Sequence, residues 1–178
     1  DMSLTDVHVS ESKGSSIRCL VSHSSAGIPV ASQVYALIDR EIQIGYQCPK
    51  PYFALAQRLD ALKAKLHDIL NSAKCDGKTI AGFGASVGIT TMLFHWELGP
   101  YLDMLLDDNP KRHGLHSPGL SIPVRNAASL QANPPDLVVL LAWRYSKAIL
   151  KNHACWGKKG SRFLAVLPEV RLLLDEMD

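Results

Sequence analysis

The residues with the most chemical potential fall in one short stretch, Gly82-Phe83-Gly84-Ala85-Ser86-Val87-Gly88. Glycines that follow an apolar run let the backbone come close to a ligand, and the N–H groups that open a helix attract anionic oxygen. The chemistry this predicts is phosphate binding. The spacing G-x-G-x-x-x-G is a loose relative of the dinucleotide fingerprint, whose third glycine comes one position earlier. Close packing of a strand on a helix asks for the same glycines, so spacing alone leaves both readings open.

Asp107-Asp108-Asn109 follows the next apolar run, where a carboxylate can take the hydroxyls of a ribose; the same residues are also ordinary turn formers and caps. Trp143-Arg144-Tyr145 closes a third run. There a tryptophan can stack on a ring and an arginine can pair with phosphate, or the three can form an aromatic rim with a solvated cation. His113 and His116 have no acidic or thiol companion at metal spacing, and His95, between Phe94 and Trp96, reads as packing. Cys19, Cys48, Cys75 and Cys155 form no C-x-x-C pair, so neither a zinc knuckle nor a disulfide framework is expected. No G-x-S-x-G elbow marks a hydrolase nucleophile.

These residues need a scaffold that gathers the ends of several apolar runs. From Lys78 onward the chain supplies one: runs at Thr79–Phe83, Leu102–Leu106, Leu137–Ala142 and Phe163–Leu167 are interleaved with helical stretches at Thr90–Leu98 and Ser146–Trp156. Unbroken apolar runs suit strands buried on both faces, and their alternation with helices predicts right-handed crossovers and a parallel sheet. The expected fold is α/β, a small Rossmann-like doubly wound domain at residues 77–178, where ligands sit beyond the carboxyl ends of the strands. Residues 110–135 form one long irregular connection, with a short helix expected at Ala127–Leu130. Ahead of the domain lies a helical connector, residues 27–76. It has a helix from Val30 to Ile44, with Pro29 just before it, where a helix start tolerates proline, and Gly45 as its stop. A longer helix follows, striped by Leu55, Leu59, Leu62, Leu66, Ile69 and Ala73. Residues 1–26 form a β segment, in which Asp6–Val9 and Ser16–Val21 pair across a turn.

Whole-chain properties narrow the function classes. The 178 residues, 47% hydrophobic and 20% charged, suffice for one sizeable core. Nineteen Lys and Arg against seventeen Asp and Glu give no charge excess to draw in nucleic acid or an acidic membrane. No apolar run approaches the roughly 20 residues of a membrane span, and a basic-then-apolar leader is absent from the start. The expectation is a soluble, cytoplasmic protein. The chain opens on Asp1 in strand-like alternation, which reads as part of something longer.

Several stretches, in order, resemble a known family: Ile80-Ala81-Gly82-Phe83-Gly84-Ala85; Asp107 with Asn109-Pro110 and Gly114; Pro118-Gly119 with Ile122-Pro123; Leu140-Leu141-Ala142-Trp143; and Pro168-Glu169. Together they look like the C-terminal domain of S-adenosylmethionine-dependent C-methyltransferases acting on nucleotide-linked deoxysugars. Gly14 with Ser16-Ile17-Arg18 resembles the segment that joins this domain to the family's upstream methyltransferase domain.

The resemblance implies a modular enzyme whose last domain holds a nucleoside-diphosphate sugar against the methyl donor. S-adenosylmethionine would serve the full-length enzyme and bind outside this chain, which would be inactive alone. Gly82, Gly84, Ala85, Ser86 and Thr91 match the family's loop and are carried over as substrate-binding candidates; Asp107, Asn109, Pro118, Gly119 and Trp143 match other segments expected at the same crevice. No catalytic residue and no metal ligand is carried over. The chain departs from the family at Gly88-Ile89, where a lysine and a glycine are usual, at Lys13 in place of a histidine, and at Ser15 in place of a second glycine. It departs again at Arg144 and Val170, in place of asparagine and proline. Two other readings stand beside this one. The glycine turn suggests a nicotinamide dinucleotide module, and the Leu-striped helix suggests a noncatalytic assembly domain, including a homodimer.

Overall fold

An isolated hairpin is marginal in water, so a chain that opens with one must lay a helix over it. The computed structural model describes residues 1–11 and 15–173, which form two compact units, Asp1–Leu59 and Asp60–Asp178. In the first, β1 (Met2–Ser10) pairs antiparallel with β2 (Ser16–His23), with a bulge between Leu4 and Asp6. Both strands are longer than the expected runs and contain them. Lys13 and Gly14 lie outside the described residues. Ser15 takes φ +87°, a left-handed conformation that glycine adopts without strain.

Helix α1 (Ser32–Ile44) begins two residues later than expected, because Ala31 stays extended while its N–H donates to Thr5 O at 2.8 Å. Pro29 therefore precedes the helix, as expected, but lies farther ahead of its start. Gly45 ends α1 at φ +83°, its N–H shared between Glu41 O and Ile42 O. Helix α2 (Lys50–Cys75) runs on from the first unit into the second.

The second unit is a six-stranded α/β sheet. Its elements in chain order are β3 (Ile80–Phe83), α3 (Val87–His95), β4 (Met104–Asp107), β5 (Val124–Asn126), β6 (Leu137–Leu140), α4 (Ser146–Asn152), α5 (Ala154–Gly157), β7 (Arg162–Ala165) and β8 (Arg171–Leu173). Strand order is β5-β4-β3-β6-β7-β8; all neighbours are parallel except β8, which is antiparallel to β7. The chain winds outward from β3 to β5, then returns to the other side of β3 as β6, so the topological switch lies between β3 and β6.

Pleating sends alternate residues to opposite faces. Ala81, Phe83, Leu106, Val138 and Leu140 pack in one cluster with Ile149, Leu150 and Trp156 of α4 and α5. Leu105 and Val124, on the other face, look toward Ile89 and Leu93 of α3. Helices thus cover both faces, as the doubly wound pattern requires. In α2 the fully buried side chains of this unit are Leu66 and Leu70, with Ala73 close behind; Leu70 takes the place expected of Ile69, which is half-buried. This half of α2 is tied to the segment after α3 by Lys63–Glu97 at 2.8 Å, His67 to Trp96 O at 2.6 Å and Lys74–Asp103 at 2.7 Å.

Carboxylates also fasten the amino ends of the central strands. Asp103 accepts from Ile80 N and Asp136 from Thr79 N, each at 2.8 Å. The opposite, carboxyl edge is built differently and holds the candidate site.

Candidate functional site at the carboxyl edge of the sheet

The turn after β3 is fixed by two backbone bonds, Gly84 N to Leu106 O at 2.7 Å and Ala142 N to Phe83 O at 2.8 Å. These pull the ends of β4 and β6 against it. Gly84 has φ +118°, and a Cβ there would stand 2.9 Å from Ala142 Cβ and 3.1 Å from Ala142 N. Only glycine fits this conformation and this approach together. Gly82 serves packing: a Cβ on it would meet Leu141, Leu105 and Leu102 within 3.1 Å, so it lies under leucines inside the sheet.

Asp107, 7% exposed, clamps the turn to the end of β4. Its Oδ2 accepts from Ala85 N and from Arg112 Nη1, both at 2.8 Å, and its Oδ1 accepts from Asn109 N at 2.9 Å. Burial opposes ionisation of this carboxyl, but the two backbone N–H groups and the Arg112 guanidinium outweigh burial and hold it below the ordinary carboxylate value. His113 donates from Nε2 to Asp107 O at 2.8 Å, closing the loop on the strand end.

With the turn so held, α3 starts over the switch point. Ser86 is its N-cap in extended conformation, and its side chain makes no cap bond. The N–H groups of Val87 and Gly88 open the helix without intrahelical acceptors, and no acidic residue sits in its first turn. Three spaces meet at Ser86 and Ile89. The largest, about 500 Å³, lies between α3 and residues 112–124, with Leu93, Leu105, Leu115 and Val124 in its wall and Arg112 at its edge. A second, about 190 Å³, lies at the switch point between Gly84, Asp107, Asp108, Arg112 and Ala142. The third, about 160 Å³, runs from Gly88 and Met92 to Trp143 and Tyr145.

The structure brings some of the expected residues together and parts others. Ala85, Ser86, Thr91 and Pro118 border the 500 Å³ cavity. Gly84, Ser86 and Asp107 border the switch-point crevice. Trp143 reaches the third space, with the Arg144 guanidinium 4.8 Å over its ring. Asn109 borders none of the three; its side chain accepts from Lys111 N at 3.0 Å and caps a short 3₁₀ turn. Gly119, at φ +72°, gives room to Phe94, whose Cζ a Cβ would meet at 2.7 Å.

Sequence reasoning missed Arg112, Ile89, Leu115 and Val124. Arg112 is the most consequential, since it is a cation fixed on Asp107 that lines two of the three spaces. The available signal was Asn109-Pro110, a turn that folds the next residues back toward Asp107. The long connection has its expected short helix, a 3₁₀ turn at Ala127–Leu130, and is less irregular than expected in that it also contains β5.

Among the described residues no group of three or more His, Cys, Asp or Glu side chains could hold a metal ion, and no helix is long and apolar enough to cross a membrane. The protein family described as C-methyltransferase C-terminal domain matches residues 11–168. The chain is 27% identical over 174 residues to the C-methyltransferase NovU of Streptomyces niveus; the match covers 97% of the chain and 41% of that protein. It thus spans about two fifths of its relative's length.

Proposed function

Because the chain belongs to the C-methyltransferase C-terminal domain family, we propose that it is the part of a C-methyltransferase that holds the methyl acceptor, a sugar carried on a nucleoside diphosphate. Residues 77–178 grip the nucleotide, residues 27–76 connect, and residues 1–26 join this part to the methyltransferase domain. Methyl transfer needs that domain, which binds S-adenosylmethionine; the chain alone binds the acceptor and is inactive. Its setting is the cytoplasm.

The observation that carries this reading is the start of α3. Two N–H groups without intrahelical acceptors stand at the positive end of a helix with no acid in its first turn, and the N-cap Ser86 lines the switch-point crevice together with Arg112. That combination suits a diphosphate. It suits a nicotinamide dinucleotide less well, because Asp107, the acid placed to take a ribose, is buried and committed to Ala85, Asn109 and Arg112.

A thermal-shift series tests the reading. Thymidine diphosphate or uridine diphosphate at about 100 times its dissociation constant should add roughly 2.7 kcal/mol of stability, while S-adenosylmethionine and NAD leave the midpoint unchanged. A shift with S-adenosylmethionine or NAD, or none with either diphosphate, would overturn it.

A further inference from the structure

The 500 Å³ cavity and the switch-point crevice share Ser86, Ile89 and Arg112 in their walls. We infer that this cavity is a separate compartment for the flat ring of the ligand, the nucleobase, and that Arg112 reads the phosphate at the boundary between the two. The inference rests on the nucleotide-linked substrate proposed above and assigns its parts to places.

Size and chemistry both favour a ring. Organic-ligand pockets run roughly 300–1,000 Å³ and are mostly apolar with a few placed polar groups. Here Leu93, Leu105, Leu115 and Val124 supply carbon surface, while Ser86 and Thr90 bring hydroxyls that can bond the polar edge of a base. A diphosphate alone would gain nothing from such walls, and desolvating its charge against them would be costly. The phosphate therefore belongs at the edge, where the cation stands.

Arg112 is held for that task. One of its Nη groups is spent on Asp107 Oδ2 at 2.8 Å, and Asp107 is itself fixed by the N–H groups of Ala85 and Asn109. A guanidinium has five N–H donors in a rigid fork, so the remaining ones stay aimed without a further ordering cost. The side chain is 36% exposed, enough to be reached by a ligand.

Titration calorimetry on the whole chain with pyrophosphate and with thymidine diphosphate separates the parts. Leu115 is exposed at the cavity wall, so Leu115→Trp fills the compartment without disturbing the core. It should weaken thymidine diphosphate by roughly ten- to hundredfold and leave pyrophosphate unchanged. Arg112→Gln should weaken both ligands by roughly ten- to hundredfold, with partial recovery in Arg112→Lys; melting curves of each variant report whether the fold is intact. If Leu115→Trp binds thymidine diphosphate like the parent, the ring does not use this cavity. If folded Arg112→Gln keeps its pyrophosphate affinity, Arg112 does not read phosphate. Absence of diphosphate binding in the parent chain itself would instead bring down the proposed function, and this assignment with it.

Discussion

His153 is the buried titratable group with the least support. It is 5% exposed, its ring lies 5.0 Å from that of Phe83 and 4.5 Å from that of Trp156, and neither ring nitrogen has a hydrogen-bond partner among the described residues. Burial pushes its pKa below the ordinary histidine value; the Asp108 carboxylate pulls the other way but stands 3.6 Å off, beyond hydrogen-bond distance, and burial prevails. With the folded value below the unfolded one, the unfolded chain binds more protons between them, so stability rises with pH across that window and is lost as pH falls below about 6.5. Urea midpoints at pH 7.5 and 5.5 should therefore fall in the parent and fall less in His153→Phe. Equal falls in both would contradict the assignment. Asp107 does not confuse the test, because its depressed carboxyl contributes stability that is lost only as pH drops below about 3.8 toward the folded value. None of this was legible in the sequence, where His153 follows a helix of ordinary composition and only the fold places it between two aromatic rings.

At the scale of the element, the strand–turn–helix from β3 to α3 carries two glycines with different duties, and the sequence pattern could not tell them apart. Gly84→Ala would put a Cβ against Ile89 Cδ1, which can move, and against Ala142 Cβ and N, which cannot yield cheaply, in a left-handed conformation. It should cost about 2–4 kcal/mol and displace the start of α3, so nucleotide affinity falls as well. Gly82→Ala meets the ends of flexible leucines; it should cost about 1–3 kcal/mol with affinity kept in the folded protein. Denaturant melts paired with titration distinguish the two, and loss of affinity in folded Gly82→Ala would put that residue in the site after all. The central strands were readable because each is an apolar run buried on both faces. Strand β5 was not, since Val124-Arg125-Asn126 holds one buried side chain and shows no period. Strand β8 likewise needed the neighbouring edge of β7 to be recognised, as its three residues form an antiparallel margin.

At the scale of the whole molecule, the fold gathers residues from separate stretches of sequence at one sheet edge, and that gathering makes the functional reading possible. The family's stretches marked most of the edge: the glycine turn, Asp107, Pro118 and Trp143 all lie along it. Division into compartments was not legible, because it depends on how residues 112–124 arch beside α3, which no local pattern encodes. Arg112 is the clearest example. In sequence it is one cation in a polar run; in the fold it is bonded to a buried carboxylate and borders two spaces. The most direct measurement is a map of backbone amide shifts by nuclear magnetic resonance as thymidine diphosphate is added to the chain. The largest changes should fall on Val87 and Gly88, with Arg112 and Leu115 next. Changes that spare the start of α3 and gather elsewhere would contradict the claim that this edge holds the substrate's nucleotide.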